Sequence, residues 1–211
     1  MTSPRGGSPT ASNRRPRLVL ASASPRRAEL LGRVGVVPDA VAEPGIDEAV
    51  RAGELPRAHA VRLAREKAEA VLARLGACEP TLVLAGDTVV ACGRRILPKA
   101  ESEDAARACL SLLSGRRHLV LTAIAVLASD GRAAERLVET RVGFKRLSGE
   151  EIAWYLASGE WRGKAGGYAV QGRAAIFVDF LSGSHSAVVG LPLHETAGLL
   201  AGLGYPVARA P

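Results

Sequence analysis

Residues 117–128 and 134–146 are two long strand-like runs separated by Ser129-Asp130-Gly131. An Asp-Gly connection between such runs folds back as a hairpin, so at least one neighbouring pair of strands is antiparallel. The rest of the chain alternates strand and helix. Residues 17–22 read as a strand. Ser24 as N-cap and Pro25 as first helical residue then open a helix reaching about 31–34. A short strand is expected over 36–42, ended by Pro44-Gly45, followed by a long helix over 56–75. A strand over 81–92 carries Gly86-Asp87-Thr88 inside it. Ser102 caps a helix over 103–113, and Ser148 with Glu151 forms a capping box for a helix ending at Gly159. A strand over 174–181 and a helix over 193–203 complete the order. The class is α/β with a mixed sheet, because the hairpin excludes a wholly parallel one.

Composition narrows what such a fold can do. At 211 residues, 47% hydrophobic and 23% charged, the chain suits one domain with its own core. Aromatics are only 4%, so Leu, Val and Ala must fill that core, and a base-stacking platform for single-stranded nucleic acid is disfavoured. The longest strong apolar run, 119–128, is too short to span a bilayer. Cys78, Cys92 and Cys109 have no C-x-x-C spacing, which argues against a disulfide framework or zinc knuckle and fits a reducing cytoplasm. Four of the seven net positive charges lie at Arg5, Arg14, Arg15 and Arg17. Residues 1–15 read as a disordered basic tail, with a nucleic-acid arm as the other reading, and residues 16–211 as a single domain. Arg14, Arg15 and Arg17 before Leu18-Val19-Leu20-Ala21 imitate an export signal. The apolar run is short and Pro25-Arg26-Arg27 interrupts it, so a cytoplasmic protein without membrane attachment is expected.

Several constellations suggest chemistry. Ser22-Ala-Ser24-Pro25-Arg26-Arg27 lies at a strand-to-helix junction, where free N–H groups, hydroxyls and guanidinium forks suit an anion. The same residues also read as a capped helix with two exposed arginines. Only four lysines (67, 99, 145, 164) stand against 24 arginines. On a helical wheel Lys67 falls inside the apolar stripe of Ala60, Leu63, Ala64, Val71 and Leu75, so it must snorkel, pair or face a ligand. An unpaired ammonium there is costly, so Lys67→Met is expected to remove activity while keeping or raising stability. Asp87 within an apolar strand needs a cation, a reacting group or backbone donors. Ile46-Asp47-Glu48 could share a hard cation or form a solvated turn. Lys164-Ala-Gly166-Gly167-Tyr168-Ala-Val-Gln171-Gly172 implies tight backbone geometry and either offers Gln171 to a base edge or is a glycine-rich structural turn; it lacks a Walker spacing. The four histidines have no zinc spacing, and Gly183-Ser184-His185-Ser186 lacks a nucleophile elbow.

Taken in order, Leu20-Ala-Ser-Ala-Ser-Pro-Arg-Arg-Ala-Glu-Leu-Leu31, Ile46-Asp-Glu48, Arg62-Leu-Ala-Arg-Glu-Lys-Ala68, Gly86-Asp-Thr-Val-Val90, Leu113-Ser-Gly115 with His118, Ala165-Gly-Gly-Tyr168 with Gln171-Gly172, and Val188-Val-Gly-Leu-Pro-Leu193 resemble the Maf family over residues 17–203. The resemblance implies an elongated, twisted mixed sheet flanked by helices, with two lobes and a central cleft, often as a homodimer. It implies hydrolysis of a nucleoside triphosphate between the α- and β-phosphates with a divalent metal, Mg2+ or Mn2+. Asp87 matches the catalytic acid–base residue. Ser22, Ser24, Arg26, Arg27, Glu48, Lys67, Thr88, Lys99 and Gln171 would surround the substrate, and Asp87 with Glu48 would hold the metal. Arg26, Thr88 and Gln171 match positions tied to base choice in the dTTP/UTP branch, and Asp87-Thr88 points to that branch rather than the one acting on 7-methyl-GTP. The pattern departs at Pro98-Lys99-Ala100, where Gly-Lys-Pro is usual, at Gly163, where Asp is common, and at His185 and Ala187. The competing readings are a non-catalytic basic protein acting on nucleic acid or in division, and a house-cleaning pyrophosphatase for modified purine nucleotides. No stable nucleic-acid partner is expected under the favoured reading.

Overall fold

The computed structural model describes residues 15–76 and 79–207. The tail expected over 1–15 lies outside these residues except for Arg15, as does Cys78. Arg15 forms a two-pronged ion pair with Asp39, both contacts at 2.7 Å.

In chain order the elements are β1 (Arg17–Ala21), α1 (Pro25–Arg33), β2 (Ala40–Ala42), α2 (Pro56–Leu75), β3 (Thr81–Cys92), β4 (Arg95–Leu97), α3 (Glu103–Leu113), β5 (Arg117–Ala128), β6 (Ala133–Phe144), α4 (Gly149–Ala157), a 3₁₀ turn (Arg173–Phe177), β7 (Val178–Ser182), α5 (His185–Val189) and α6 (Leu193–Gly202). They build one mixed sheet ordered β2-β1-β3-β5-β6-β7, with β4 paired to the end of β3. β1 runs parallel to β2 and β3, whereas β3–β5, β5–β6 and β6–β7 are antiparallel. The hairpin read from Ser129-Asp130-Gly131 is the β5–β6 connection, with Leu127 opposite Ala133.

The side-chain alternation of strands sorts the core into two layers. On one face Val83, Ala85 and Val89 of β3 meet Ala60, Ala64, Ala68 and Val71 of α2, together with Leu121, Ala123 and Ala125 of β5. The alanines along α2 let this helix lie close on the strands. On the other face Leu82, Leu84, Val90, Ile124 and Val126 pack against Leu30 and Leu31 of α1, Leu110 and Leu113 of α3, Tyr155 and Leu156 of α4, and Leu199 and Leu200 of α6. Ser102 caps α3 through Ala105 N, and Ser148 with Glu151 makes the reciprocal capping box of α4.

Three stretches differ from the sequence reading. The strand expected over 36–42 shrinks to β2, because Pro38 has no N–H to give a ladder, and the Leu18 N–H is taken instead by Asp39 Oδ2 at 2.8 Å. The strand expected over 174–181 begins as a 3₁₀ turn. Ala174 and Phe177, three apart, are both fully buried, which is the 3₁₀ period rather than the strand period. The short elements β4 and α5 have no counterpart in the sequence reading. Ser184 caps α5 through Ala187 N, and Ser186 Oγ accepts from Leu193 N at 3.1 Å. Among the described residues no helix is long and apolar enough to cross a membrane.

Candidate active site

Asp87 occupies the middle of β3, opposite Ala123 of β5, and points to the α2 side of the sheet. Lys67 lies on the buried stripe of α2 facing it, where the helical spacing puts it. Both residues are only 4% exposed. Lys67 Nζ donates to Asp87 Oδ1 at 2.6 Å and lies 2.6 Å from Glu48 Oε1. Lys67 therefore neither snorkels nor stays unpaired, and the stability gain expected for Lys67→Met loses its basis. Glu48 Oε2 in turn accepts from Lys99 Nζ. The result is a chain of alternating charge, Asp87–Lys67–Glu48–Lys99, drawn from β3, α2, the loop before α2 and the segment after β4. Burial pushes the Glu48 carboxyl up, but its bonds to Lys67 and Lys99 outweigh that and hold it at about 2. Asp47 takes no part. It is exposed and its Oδ1 accepts from Ala49 N at 2.9 Å, so the adjacent carboxylates diverge instead of sharing a cation.

The β1–α1 junction forms the facing wall. Ser24 stands at the N-cap position of α1 without making a capping bond, so its hydroxyl is not used by the helix. Buried Ser22 Oγ accepts from Ser24 N and from Arg27 Nη1, each at 3.1 Å. Arg27 Nε donates to Gly190 O at 2.8 Å, which fixes the guanidinium across β3 at Gly86. A Cβ on Gly86 would lie 3.4 Å from Arg27 Nε and 3.3 Å from Ala123 O, so the bare glycine lets this cation cross the strand. Burial lowers the pKa of both Arg26 and Arg27, and Asp87 partly offsets that for Arg27. Arg26 has no carboxylate partner among the described residues.

Segment 163–171 completes the cleft. It is laced to the Lys99 segment by Ala100 N to Lys164 O at 3.0 Å, Gly163 N to Ala100 O at 2.9 Å and Gly166 N to Pro98 O at 3.0 Å. Gly166 has φ +68°, and a Cβ there would meet Val90 Cγ1 at 2.9 Å, so this turn requires glycine on both counts. Burial, with Arg26 nearby, lowers the pKa of Lys164. Tyr168 is buried, and its hydroxyl lies 2.8 Å from His118 Nε2. Thr88 Oγ1 lies 3.2 Å from Thr122 Oγ1, which donates to Ala187 O at 2.7 Å.

These walls enclose one cleft of about 340 Å³, within the size range of small-molecule sites. All ten candidate residues of the sequence (Ser22, Ser24, Arg26, Arg27, Glu48, Lys67, Asp87, Thr88, Lys99 and Gln171) line it. Lys164 and Tyr168 line it too, although neither is among the ten; in the sequence Tyr168 stands out only as part of a glycine-rich run. The scarcity of lysine is the signal that marks Lys164. Lys145 is the exception among the four lysines, bonding Glu151 of the α4 capping box. The lining thus sets five cationic side chains against two carboxylates, a balance suited to a polyanion.

The family profile described as Maf-like protein matches residues 17–203. The chain belongs to the Maf family. Among similar Maf relatives, a dTTP/UTP pyrophosphatase of Caulobacter vibrioides is 63% identical over 190 residues, covering 90% of this chain and 97% of its own. A dTTP/UTP pyrophosphatase of Novosphingobium aromaticivorans is 61% identical over 200 residues, covering 95% and 97%. A third, from Rhodospirillum rubrum, is 61% identical over 192 residues, covering 91% and 90%.

Proposed function

We propose that this Maf protein hydrolyses the α–β phosphoanhydride of dTTP and UTP, giving the monophosphate and pyrophosphate. The observation that carries the reading is the Asp87–Lys67–Glu48–Lys99 charge chain, set in the same cleft as Arg26, Arg27 and Lys164. The high identity to proteins named for pyrophosphatase action on these two nucleotides, across nearly their whole length, supports the substrate.

In this mechanism the triphosphate lies between the start of α1 and the Lys99–Lys164 wall, where Arg26, Arg27, Lys99 and Lys164 match its negative oxygens. Asp87 Oδ1 is committed to Lys67, and Oδ2 accepts no hydrogen bond among the described residues. Oδ2 takes the proton of a water whose oxygen attacks the α-phosphorus. The Pα–O bond to the bridging oxygen breaks, and its electron pair leaves with pyrophosphate. The fixed cations stabilise the charge that gathers there, since phosphoryl transfer depends mainly on positioning and electrostatics.

The donor set suits a divalent cation only as a shared ligand. Asp87 Oδ1 and Glu48 Oε1 converge on Lys67 Nζ, 2.6 Å from each, so Asp87 Oδ2 is the carboxylate oxygen of the pair left for a cation, and no group of three His, Cys, Asp or Glu residues is gathered among the described residues. That fits Mg2+ or Mn2+, which commonly take one or two carboxylates and complete their shell with waters and substrate phosphates. Bound there, the cation would neutralise phosphate charge and lower the pKa of a bound water. Gln171, exposed on the cleft rim, and Thr88 are assigned to the base, with Arg26 bordering it. The free Cys92 and Cys109 thiols support a cytoplasmic setting, and the working form is taken as a homodimer without stable nucleic acid.

The deciding experiment is a panel of canonical and modified triphosphates assayed for pyrophosphate. Preferential release from dTTP and UTP is expected, and release of orthophosphate instead, or none from any triphosphate, overturns the reading.

A further inference from the structure

Glu48 reaches the cleft from the stretch between β2 and α2, which has no regular structure. Its carboxylate must meet both Lys67 and Lys99, so something outside the cleft has to fix the backbone beneath it. An ion-pair network ties this loop to α2. Arg62 Nε donates to Glu54 Oε1 at 2.6 Å and Nη2 to Glu54 Oε2 at 2.8 Å. Nη2 also donates to the main-chain carbonyl of Ala49, the residue after Glu48, at 3.0 Å. Nη1 donates to Glu66 Oε2 at 3.0 Å, and Glu66 Oε1 accepts from Arg51 Nη2 at 2.8 Å. Glu54 receives further bonds from Arg51 N at 3.0 Å and from His59 Nδ1 at 2.9 Å. The Glu54 and Arg62 side chains are 9% and 13% exposed. A planar fork with a third donor for Ala49 O is geometry that an ammonium cannot reproduce.

We propose that Arg62 is a positioning residue for Glu48. The proposal rests on the pyrophosphatase reading above, and Arg62 does not itself line the cleft. Helix α2 carries both ends of one device. Lys67 on its sheet-facing stripe supplies the ammonium, and Arg62, five residues earlier, clamps the loop that brings the opposing carboxylate. The helix therefore sets the distance between Glu48 and Asp87, and with it the span available to a phosphate-bound cation.

Two measurements test this. Hydrogen exchange in full-length Arg62→Lys, which keeps the charge and loses the fork, is expected to quicken over residues 46–52 while β3 stays protected. Unchanged exchange in the loop overturns the inference whatever the activity. A kinetic cycle with Glu48→Gln supplies the second test. Arg62→Lys is expected to lower kcat for pyrophosphate release at least about tenfold with little change in KM, a typical effect of losing a supporting hydrogen bond around a catalytic group. The same change made in Glu48→Gln is expected to add almost nothing, because the positioned group is already gone. Full multiplication of the two losses overturns the positioning role while leaving Glu48 in the chemistry. A wild-type protein releasing no pyrophosphate strikes the functional reading instead, and the exchange result still decides the loop.

Discussion

Lys67 and Asp87 meet at 2.6 Å on the floor of the cleft, each almost fully buried. Removing the ammonium leaves the Asp87 carboxylate without its closest cation, which reverses the usual benefit of replacing a buried charge by an apolar side chain. Lys67→Met is therefore expected to lose activity and about 3 kcal/mol of stability. Urea unfolding at neutral pH checks it. Lys67→Met/Asp87→Asn should regain most of the lost stability without regaining turnover.

Asp87→Asn keeps the shape of the side chain and a hydrogen-bond acceptor for Lys67, while Glu48 still balances the ammonium. The fold should survive with a small change in melting temperature. Turnover should fall by about a factor of 100 or more, the usual scale for losing a general base. Parallel pyrophosphate and thermal-unfolding assays check it, and near wild-type release would remove Asp87 from the part of general base.

Acid should lower the stability of the fold over two pH ranges. His118 is buried, and burial pushes its pKa down to about 4. The unfolded chain takes up that proton near the ordinary imidazole value while the folded one does not, so stability falls from about pH 6.5 down to pH 4. Glu48 acts lower. Its folded pKa of about 2 lies below the unfolded value, so its stabilisation is complete above about pH 4.5 and is lost as pH drops towards 2. Denaturation midpoints measured across both ranges should flatten in the upper one for His118→Asn and in the lower one for Glu48→Gln.

Gln171 lies on the rim and makes no side-chain hydrogen bond among the described residues. Gln171→Ala should therefore leave stability unchanged within about 0.5 kcal/mol. It should raise KM for dTTP and UTP about tenfold, the scale of one or two lost hydrogen bonds to a ligand. Steady-state kinetics on both nucleotides check it, and an unchanged KM would remove Gln171 from base recognition.

Much of this architecture is legible in the chain because its long elements carry strong periodic signals. The bounds read for the helix over 56–75 and the strand over 81–92 coincide with α2 and β3. The placement of Lys67 in the apolar stripe follows from helical spacing alone. Short elements fare worse, since three residues of β4 or five of α5 hold too little pattern to rise above the loops around them. Pro38 works in the other direction, ending a run that hydrophobicity alone extends. Within the cleft, the contacts hidden from sequence are those between distant partners: Gly190 O holds Arg27 across 163 positions, and His118 reaches Tyr168 across 50. No local spacing encodes such pairs.

The hydrogen bonds joining residues 98–100 to 163–166 bring together three of the positions at which the sequence is expected to depart from the Maf pattern. Pro98 and Ala100 lie far from Gly163 along the chain, yet each of the three contributes a main-chain group to that one seam. Ala100 donates the N–H that a proline at that position would lack, so restoring the expected Gly-Lys-Pro order over 98–100 would remove one bond of the seam to Lys164.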